Sequence, residues 1–281
     1  MSLFCSWVES KKTISEISES AGIGARTLRR WFVPFLGEPP KPVECGVRTR
    51  VLVLDATSIE AHACVMLIAG DADRSSPVSW SAAARESFGA WCPFLAGLRR
   101  SDMIPTYVVC DGQRGLLNAI HEVWPSTRIQ RCLIHVTRQA RAWLTLRPKT
   151  IAGVQLLGIV RDLTSIRTRR QKRRWIRRFR RWQRRHATFL KERTQGDAHW
   201  WYTHRKLRAT RSLIANAMPD LFRFVTDPTV PRTSNHVEGG LNARIKELLR
   251  CHRGLSTQKK FALAAWYLYL RQGRKPTRNV H

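Results

Sequence analysis

Acidic residues are scarce in this chain. Of its 281 residues, 20 are Asp or Glu and 50 are Lys or Arg, which gives a formal net charge of +30 at pH 7. Self-repulsion at this charge costs stability, so a merely basic surface explains it poorly. Nucleic acid explains it better, because each phosphate that a basic group neutralises releases counterions. The composition therefore predicts nucleic acid as the partner, and the scarcity of acidic groups makes each carboxylate informative.

Paired cysteines and long apolar runs are also lacking. The seven cysteines stand singly, which excludes a Cys-x-x-Cys zinc ribbon, signals no disulfide framework and favours a reducing, cytoplasmic location. The longest apolar run, residues 261–270, is too short to span a bilayer, and the amino terminus does not resemble a signal peptide. No membrane role is expected. Hydrophobic residues nevertheless make up 43% of the chain, which excludes disorder throughout.

Residues 1–37 are predicted to form a DNA-binding helix-turn-helix. Two short amphipathic segments flank Gly22, which marks a tight turn between them. The second segment would direct Arg26, Arg29 and Arg30 toward a DNA groove or its phosphates. Any small helical hairpin could show this spacing, and the basic second helix together with the overall charge favours the DNA-binding interpretation.

An α/β block is predicted at residues 49–144, after a linker at residues 38–48 that is rich in proline and glycine. Two of its predicted strands end in an aspartate, Asp55 and Asp111. Ligand sites in open α/β sheets gather at the carboxyl ends of neighbouring strands, so we expect these two carboxylates to meet. The alternative is that each aspartate only caps a turn.

Residues 145–230 are predicted to form an all-helical, strongly basic insertion. Within residues 161–193, Trp175, Phe179 and Trp182 recur at helical spacing, which indicates a packed apolar stripe with arginines on the other faces. The outer face is expected to contact the phosphate backbone of DNA without regard to sequence. The arginines predicted to bind nucleic acid there are Arg173, Arg174, Arg177, Arg178 and Arg181. The aromatic residues at 200–202 could stack on bases, although burial is the commoner fate of such residues.

Residues 231–272 are predicted to supply closing helices, followed by a frayed tail at residues 273–281. Glu238 comes three residues after Asn235, a spacing that by itself describes a capping box. Helical spacing also places Glu238 on the apolar face of its helix. The adjoining glycine pair at residues 239–240 is costly in a helix and suggests a close approach by backbone or substrate.

Asp55, Asp111 and Glu238 are therefore the candidate catalytic and metal-binding residues. Carboxylate oxygens gathered in one cleft select hard divalent cations such as Mg²⁺ or Mn²⁺. On a DNA-binding chain, two such ions would clamp the attacking and leaving oxygens of an in-line phosphoryl displacement.

These motifs resemble the Mutator-like DDE transposases of bacterial insertion sequences. The resemblance is carried by four segments, which are Asp111-Gly-Gln-Arg-Gly-Leu-Leu-Asn-Ala-Ile, Val123-Trp-Pro, Ile129-Gln-Arg-Cys-Leu-Ile-His135 and Thr233-Ser-Asn-His-Val-Glu-Gly240. It implies a ribonuclease H-like core with a helical insertion between the second aspartate and the glutamate. It also implies that Asp55, Asp111 and Glu238 form the catalytic triad.

The resemblance further implies that Cys132 and His135 match a Cys-x-x-His pair of the family, near the active site. A zinc site would need two more ligands, for which residues 251–252 are the tempting source. By resemblance, the partner is double-stranded DNA, and the enzyme cuts it at the ends of its element and joins the exposed 3′ hydroxyls to target DNA. A homodimer is expected because two ends must be paired. The competing interpretations are a non-catalytic DNA-binding regulator and a structure-selective nuclease of the same fold.

Overall fold

The computed structural model describes residues 1–10, 12–43, 48–234 and 240–272 and divides the chain into two compact units. The first unit comprises Met1–Val108, Gln113–Thr127 and Ser234–His281, and the second comprises Val109–Gly112 and Arg128–Thr233. Residues 44–47 of the predicted linker and the predicted tail at 273–281 lie outside the described residues.

The described residues contain both helices and strands. The helices are α1 (Ser2–Glu9), α2 (Ile14–Ala21), α3 (Ala25–Gly37), α4 (Phe88–Arg100), α5 (Arg114–Val123), α6 (Leu133–Leu144), α7 (Ile151–Asp162), α8 (Arg169–Arg185), α9 (Arg205–Ala217), α10 (Ala243–Cys251) and α11 (Thr257–Arg271). The strands are β1 (Val51–Glu60), β2 (Cys64–Asp71), β3 (Ser76–Ala83), β4 (Tyr107–Cys110), β5 (Arg128–Arg131), β6 (Arg193–Gln195) and β7 (Trp200–Tyr202). The predicted mixed α/β class is confirmed.

A mixed five-stranded sheet has the strand order β3-β2-β1-β4-β5. β1, β2 and β3 form an antiparallel meander in which Asp55 pairs with Ile68, and Ile68 pairs with Trp80. The first strand was expected to end at Asp55, and this expectation is wrong, because β1 continues to Glu60. Small and β-branched residues follow the aspartate, and they keep pairing with β2 although the continuous apolar run has ended.

The amino-terminal helices pack on the last helix of the first unit. Thr13 and Glu16 form a capping box that begins α2, and Gly22 ends that helix in the left-handed conformation, with a φ of 65°. α3 then begins three residues later. Trp266 of α11 donates its indole N–H to the carbonyl oxygen of Phe35 at 2.6 Å. The rings of Phe4, Phe35 and Trp266 lie against one another, so α1 and α3 share an aromatic core with α11.

The second unit is built mainly from α6, α7, α8 and α9, which bury one continuous apolar core. α8 contributes Trp175, Phe179 and Trp182, as the periodicity predicted. The expectation of an all-helical insertion is wrong, because β6 and β7 form a two-stranded antiparallel hairpin. Each strand has three residues, too few to show an alternating pattern in the sequence.

A search of the described residues found no helix with the length and hydropathy needed to cross a membrane.

Candidate active site and nucleic-acid interface

The first predicted carboxylate, Asp55, lies in the middle of β1 and is 9% exposed. Its Oδ1 accepts a hydrogen bond from the backbone N–H of Ala56 at 2.9 Å. Its Oδ2 accepts a hydrogen bond from Nδ2 of Asn242 at 2.7 Å. Asn242 directly precedes α10 and is also buried. The carboxylate is therefore held at both oxygens, which fixes its orientation.

The second predicted carboxylate, Asp111, follows β4 directly, as the sequence predicted. Its carbonyl oxygen accepts a hydrogen bond from Nε of Arg131 at 3.1 Å. The next residue, Gly112, has a φ of 84°, and a Cβ atom there would lie 1.7 Å from the same Nε. Glycine is thus required by both backbone conformation and space. Arg131 is 7% exposed, so the main chain at Asp111 is held by a buried guanidinium.

The third predicted carboxylate, Glu238, lies outside the described residues, as do Asn235 and Gly239. Gly240 is described and exposed, and a Cβ atom there would meet none of the described residues within 4 Å. The predicted close approach at residues 239–240 stays a prediction, because Gly239 lies outside the described residues. The apolar face predicted for the following helix is confirmed, because Ile245, Leu248 and Leu249 of α10 are buried.

Cys132 and His135 lie at the start of α6, where Cys132 precedes the first helical turn. Cys132 is buried, and its backbone N–H donates to the carbonyl oxygen of Cys110 at 2.7 Å. Burial, with a smaller effect from the charge of Asp111, raises the pKa of the Cys110 thiol, so this group stays protonated. Among the described residues, no three His, Cys, Asp or Glu side chains gather as a metal site.

The surface of α8 carries the predicted arginine row. Trp175 and Trp182 anchor the helix, since their indole N–H groups donate to the carbonyl oxygens of Ile159 at 2.7 Å and Ala152 at 3.0 Å. Anchoring this face turns the basic residues outward. The exposed arginines of α8 include all five that the sequence predicted to bind nucleic acid, which are Arg173, Arg174, Arg177, Arg178 and Arg181.

One side of α8 also forms a cavity of about 280 Å³ with α7. Arg178, Arg181 and Arg185 line it, together with Gln155 and Ile159 of α7. Arg178 also makes an ion pair with Asp162, so part of its charge is already compensated. The arginines of α8 thus divide into a group beside α7 and a group that faces away from it.

A comparison with protein families covers the candidate carboxylates and the arginines of α3 and α8. A family model described as "Transposase, Mutator family" matches residues 9–251. The chain belongs to the Mutator family of transposases. A curated relative from Corynebacterium diphtheriae, named as a probable transposase for an insertion sequence element, is 27% identical over 103 residues. That alignment covers 36% of this chain and 30% of the relative, so the chain spans about a third of the relative's length.

In this Mutator-family chain, the predicted DNA-facing residues of α3 are accessible. Arg26, Arg29 and Arg30 are exposed, whereas Leu28 and Phe32 on the opposite face are buried. The three arginines therefore lie on the free side of the helix. This arrangement leaves them available to an anionic partner.

Arginine side chains lie over aromatic rings of the β6–β7 hairpin. The guanidinium of Arg193 lies 4.0 Å from the ring centre of Trp200, and that of Arg208 lies 3.5 Å from the ring centre of Tyr202. The cation–π contact of Trp200 occupies one face of its ring, and this residue remains 45% exposed. Base stacking by residues 200–202 therefore stays an untested alternative.

Two residues of the candidate site were not found from the sequence. Asn242 contacts Asp55 across 187 positions of sequence, and no local pattern encodes such a pair. Arg131 is one of many arginines, and only its burial distinguishes it. A weak signal did exist for Asn242, because a polar residue falls in the apolar stretch that leads into α10.

Proposed function

We propose that this chain is a DDE transposase that cuts DNA at the ends of an insertion sequence and joins the 3′ hydroxyls to target DNA. The observation that carries the proposal is the family match over residues 9–251, which spans Asp55, Asp111 and Glu238. The proposal includes a ribonuclease H-like core, and the adjacency of β1 and β4 in the sheet order supports it. Asp55 lies in β1, and Asp111 follows β4.

The residues present fit a hard divalent cation. Asp55 and Asn242 put a carboxylate and an amide in contact within a buried setting, and the amide oxygen of Asn242 has no hydrogen-bond partner among the described residues. Oxygen donors of these two kinds are those that Mg²⁺ and Mn²⁺ prefer. Asp55, Asp111 and Glu238 would hold the ions. When bound, the ions would stabilise charge on the attacking and leaving oxygens of a phosphoryl transfer.

The rest of the chain would bind and orient the DNA. The α8 arginines would neutralise backbone phosphates of duplex DNA, and the α2–α3 pair would act as a helix-turn-helix that presents Arg26, Arg29 and Arg30 to an element end. In the first step, water attacks a phosphodiester and frees a 3′ hydroxyl. In the second step, that hydroxyl attacks a target phosphodiester, so one bond forms as another breaks. Pairing of two ends would require a homodimer.

Substitution of the carboxylates tests the catalytic assignment. We expect Asp111→Asn to abolish Mn²⁺-dependent cleavage of duplexes taken from the DNA that flanks the coding sequence, with DNA affinity nearly unchanged. Asp55→Asn and Glu238→Gln should behave alike. Asp102→Asn is the matched control, because this exposed residue has a φ of 58°, which asparagine also adopts readily. Cleavage by purified Asp111→Asn at the wild-type rate would refute the assignment.

A wild-type chain that shifts duplex DNA but never cuts it would favour the non-catalytic regulator. Cut products without any joined DNA would instead favour a nuclease. Sequencing of reaction products separates these outcomes.

Substitution on α8 tests the DNA-binding surface. Each phosphate contact contributes about 0.9 to the slope of log affinity against log salt, so Arg173→Gln with Arg177→Gln should make that slope shallower by roughly two. Lys41→Gln with Arg100→Gln removes the same charge from exposed positions in the first unit and should leave the slope nearly unchanged. Fluorescence anisotropy with a labelled duplex measures both. Equal changes in the two double variants would show that net charge, and not this surface, determines binding.

A further inference from the structure

Asn242 is placed to act on Asp55. The residue is 3% exposed, and its Nδ2 donates to Oδ2 of Asp55 at 2.7 Å. It directly precedes α10, whose buried face fixes the position of the helix start. The fold therefore holds the Asn242 amide in place, where it donates to a carboxylate that is 187 positions away in sequence.

Two of the groups that orient the Asp55 carboxylate are neutral hydrogen-bond donors. One oxygen accepts from the backbone N–H of Ala56 and the other from the amide of Asn242, and both of these donors are neutral. A donor without charge fixes the rotamer and does not itself compensate the negative charge of the carboxylate. A lysine or arginine in the place of Asn242 would instead compete with a metal ion for the same charge.

The second half of the same amide is unsatisfied. Oδ1 of Asn242 is buried and has no hydrogen-bond partner in the described part of the chain. A flip of the amide would not help, because it would turn the oxygen toward the Asp55 carboxylate. Buried acceptors without partners are rare in native proteins, and each calls for an explanation. A divalent cation, or a water molecule bound to one, is the electropositive group that this pair of oxygen donors fits.

We propose that Asn242 is a positioning residue for metal binding, which holds Asp55 through Nδ2 and has its own Oδ1 satisfied when the cation binds. This inference rests on the proposed function, since it assigns Asp55 to the metal site. Partners that orient metal ligands typically change metal affinity by roughly 10- to 100-fold when they are removed. The same scale applies to Asn242.

Mn²⁺ binding tests the inference without depending on activity. Electron paramagnetic resonance of free Mn²⁺ in the presence of duplex DNA gives the dissociation constant. We expect Asn242→Ala to raise it about tenfold or more, and Asn242→Ser, whose hydroxyl can still donate, to give a smaller rise. Asn118→Ala is the control, because Asn118 is an exposed asparagine of the same unit. It should bind Mn²⁺ as the wild type does.

Cleavage rates separate positioning from general damage. In Asn242→Ala, saturating Mn²⁺ should restore the rate to near the wild-type value, because the loss lies in metal affinity. Mn²⁺ binding within twofold of wild type, or a rate lowered equally at every Mn²⁺ concentration, would overturn the inference. If Asp55→Asn also bound Mn²⁺ normally, the proposed function itself would fail. The two failures are therefore distinguishable.

Discussion

Single residues determine how the main chain runs at Asp111. Gly112 has a φ of 84°, and a Cβ atom there would lie 1.7 Å from Nε of Arg131. Gly112→Ala must therefore move a buried guanidinium as well as strain the backbone, and we expect a loss of about 1–3 kcal/mol in the free energy of unfolding. Gly254→Ala is the control, because a Cβ atom there meets nothing within 4 Å and its φ is not positive. Equal urea midpoints for the two variants would contradict this account.

The candidate site could be predicted from the sequence only in part at this scale. Asp55 and Asp111 were identified because carboxylates are scarce and these two follow apolar runs. The position of Asp55 within β1 was not predicted, because the polar residues that follow it do not look like a strand until β2 pairs with them. The contact from Asn242 depends on tertiary folding, which a local pattern does not encode.

At the scale of elements, α8 shows how a strongly basic helix is kept in place. Trp182 is 3% exposed, packs against Phe179, and donates its N–H to the carbonyl oxygen of Ala152. We expect Trp182→Ala to lower the free energy of unfolding by about 3–5 kcal/mol, because it leaves a cavity. Trp182→Phe keeps most of the ring packing and should cost about 0.5–1.5 kcal/mol, because it removes the hydrogen bond that the indole N–H donates to the carbonyl oxygen of Ala152.

The control for these variants lies on the other side of the same helix. Arg180 is exposed, so Arg180→Ala should change the free energy of unfolding by no more than about 0.5 kcal/mol. Denaturant unfolding followed by circular dichroism measures all three variants. A Trp182→Ala variant as stable as Arg180→Ala would show that the aromatic stripe does not anchor α8.

Elements with strong periodicity were predictable, and short ones were not. The aromatic spacing of residues 175, 179 and 182 predicted the buried face of α8. The β6–β7 hairpin was missed because its strands depend on pairing with each other and on arginine contacts to Trp200 and Tyr202. Propensity over three residues is too weak to predict such strands.

At the scale of the whole chain, segments that are far apart in sequence contribute to one core in the first unit. α1 brings Trp7 against the ring of His252, which follows α10, with ring centres 4.7 Å apart. Burial lowers the pKa of His252 from 6.5, because the charged form loses hydration. Its Nε2 is buried and has no hydrogen-bond partner among the described residues. The neutral ring is therefore the form that fits beside Trp7.

This environment makes stability depend on pH in a defined direction. The unfolded chain takes up a proton at His252 near pH 6.5, whereas the folded chain does so only at lower pH. The contribution of the neutral His252 to the free energy of unfolding is therefore complete above about pH 6.5, and it is lost as the pH falls toward the lowered pKa. His252→Phe should make the fall in unfolding free energy between pH 7.5 and 5.5 shallower, as measured by urea titration. It will not remove the fall, because burial also lowers the pKa of His186. The control is His121→Gln, at an exposed position, and its free energy of unfolding should vary with pH as that of the wild type does. If the His252→Phe curve were parallel to the control curve, His252 would not be a source of the pH dependence.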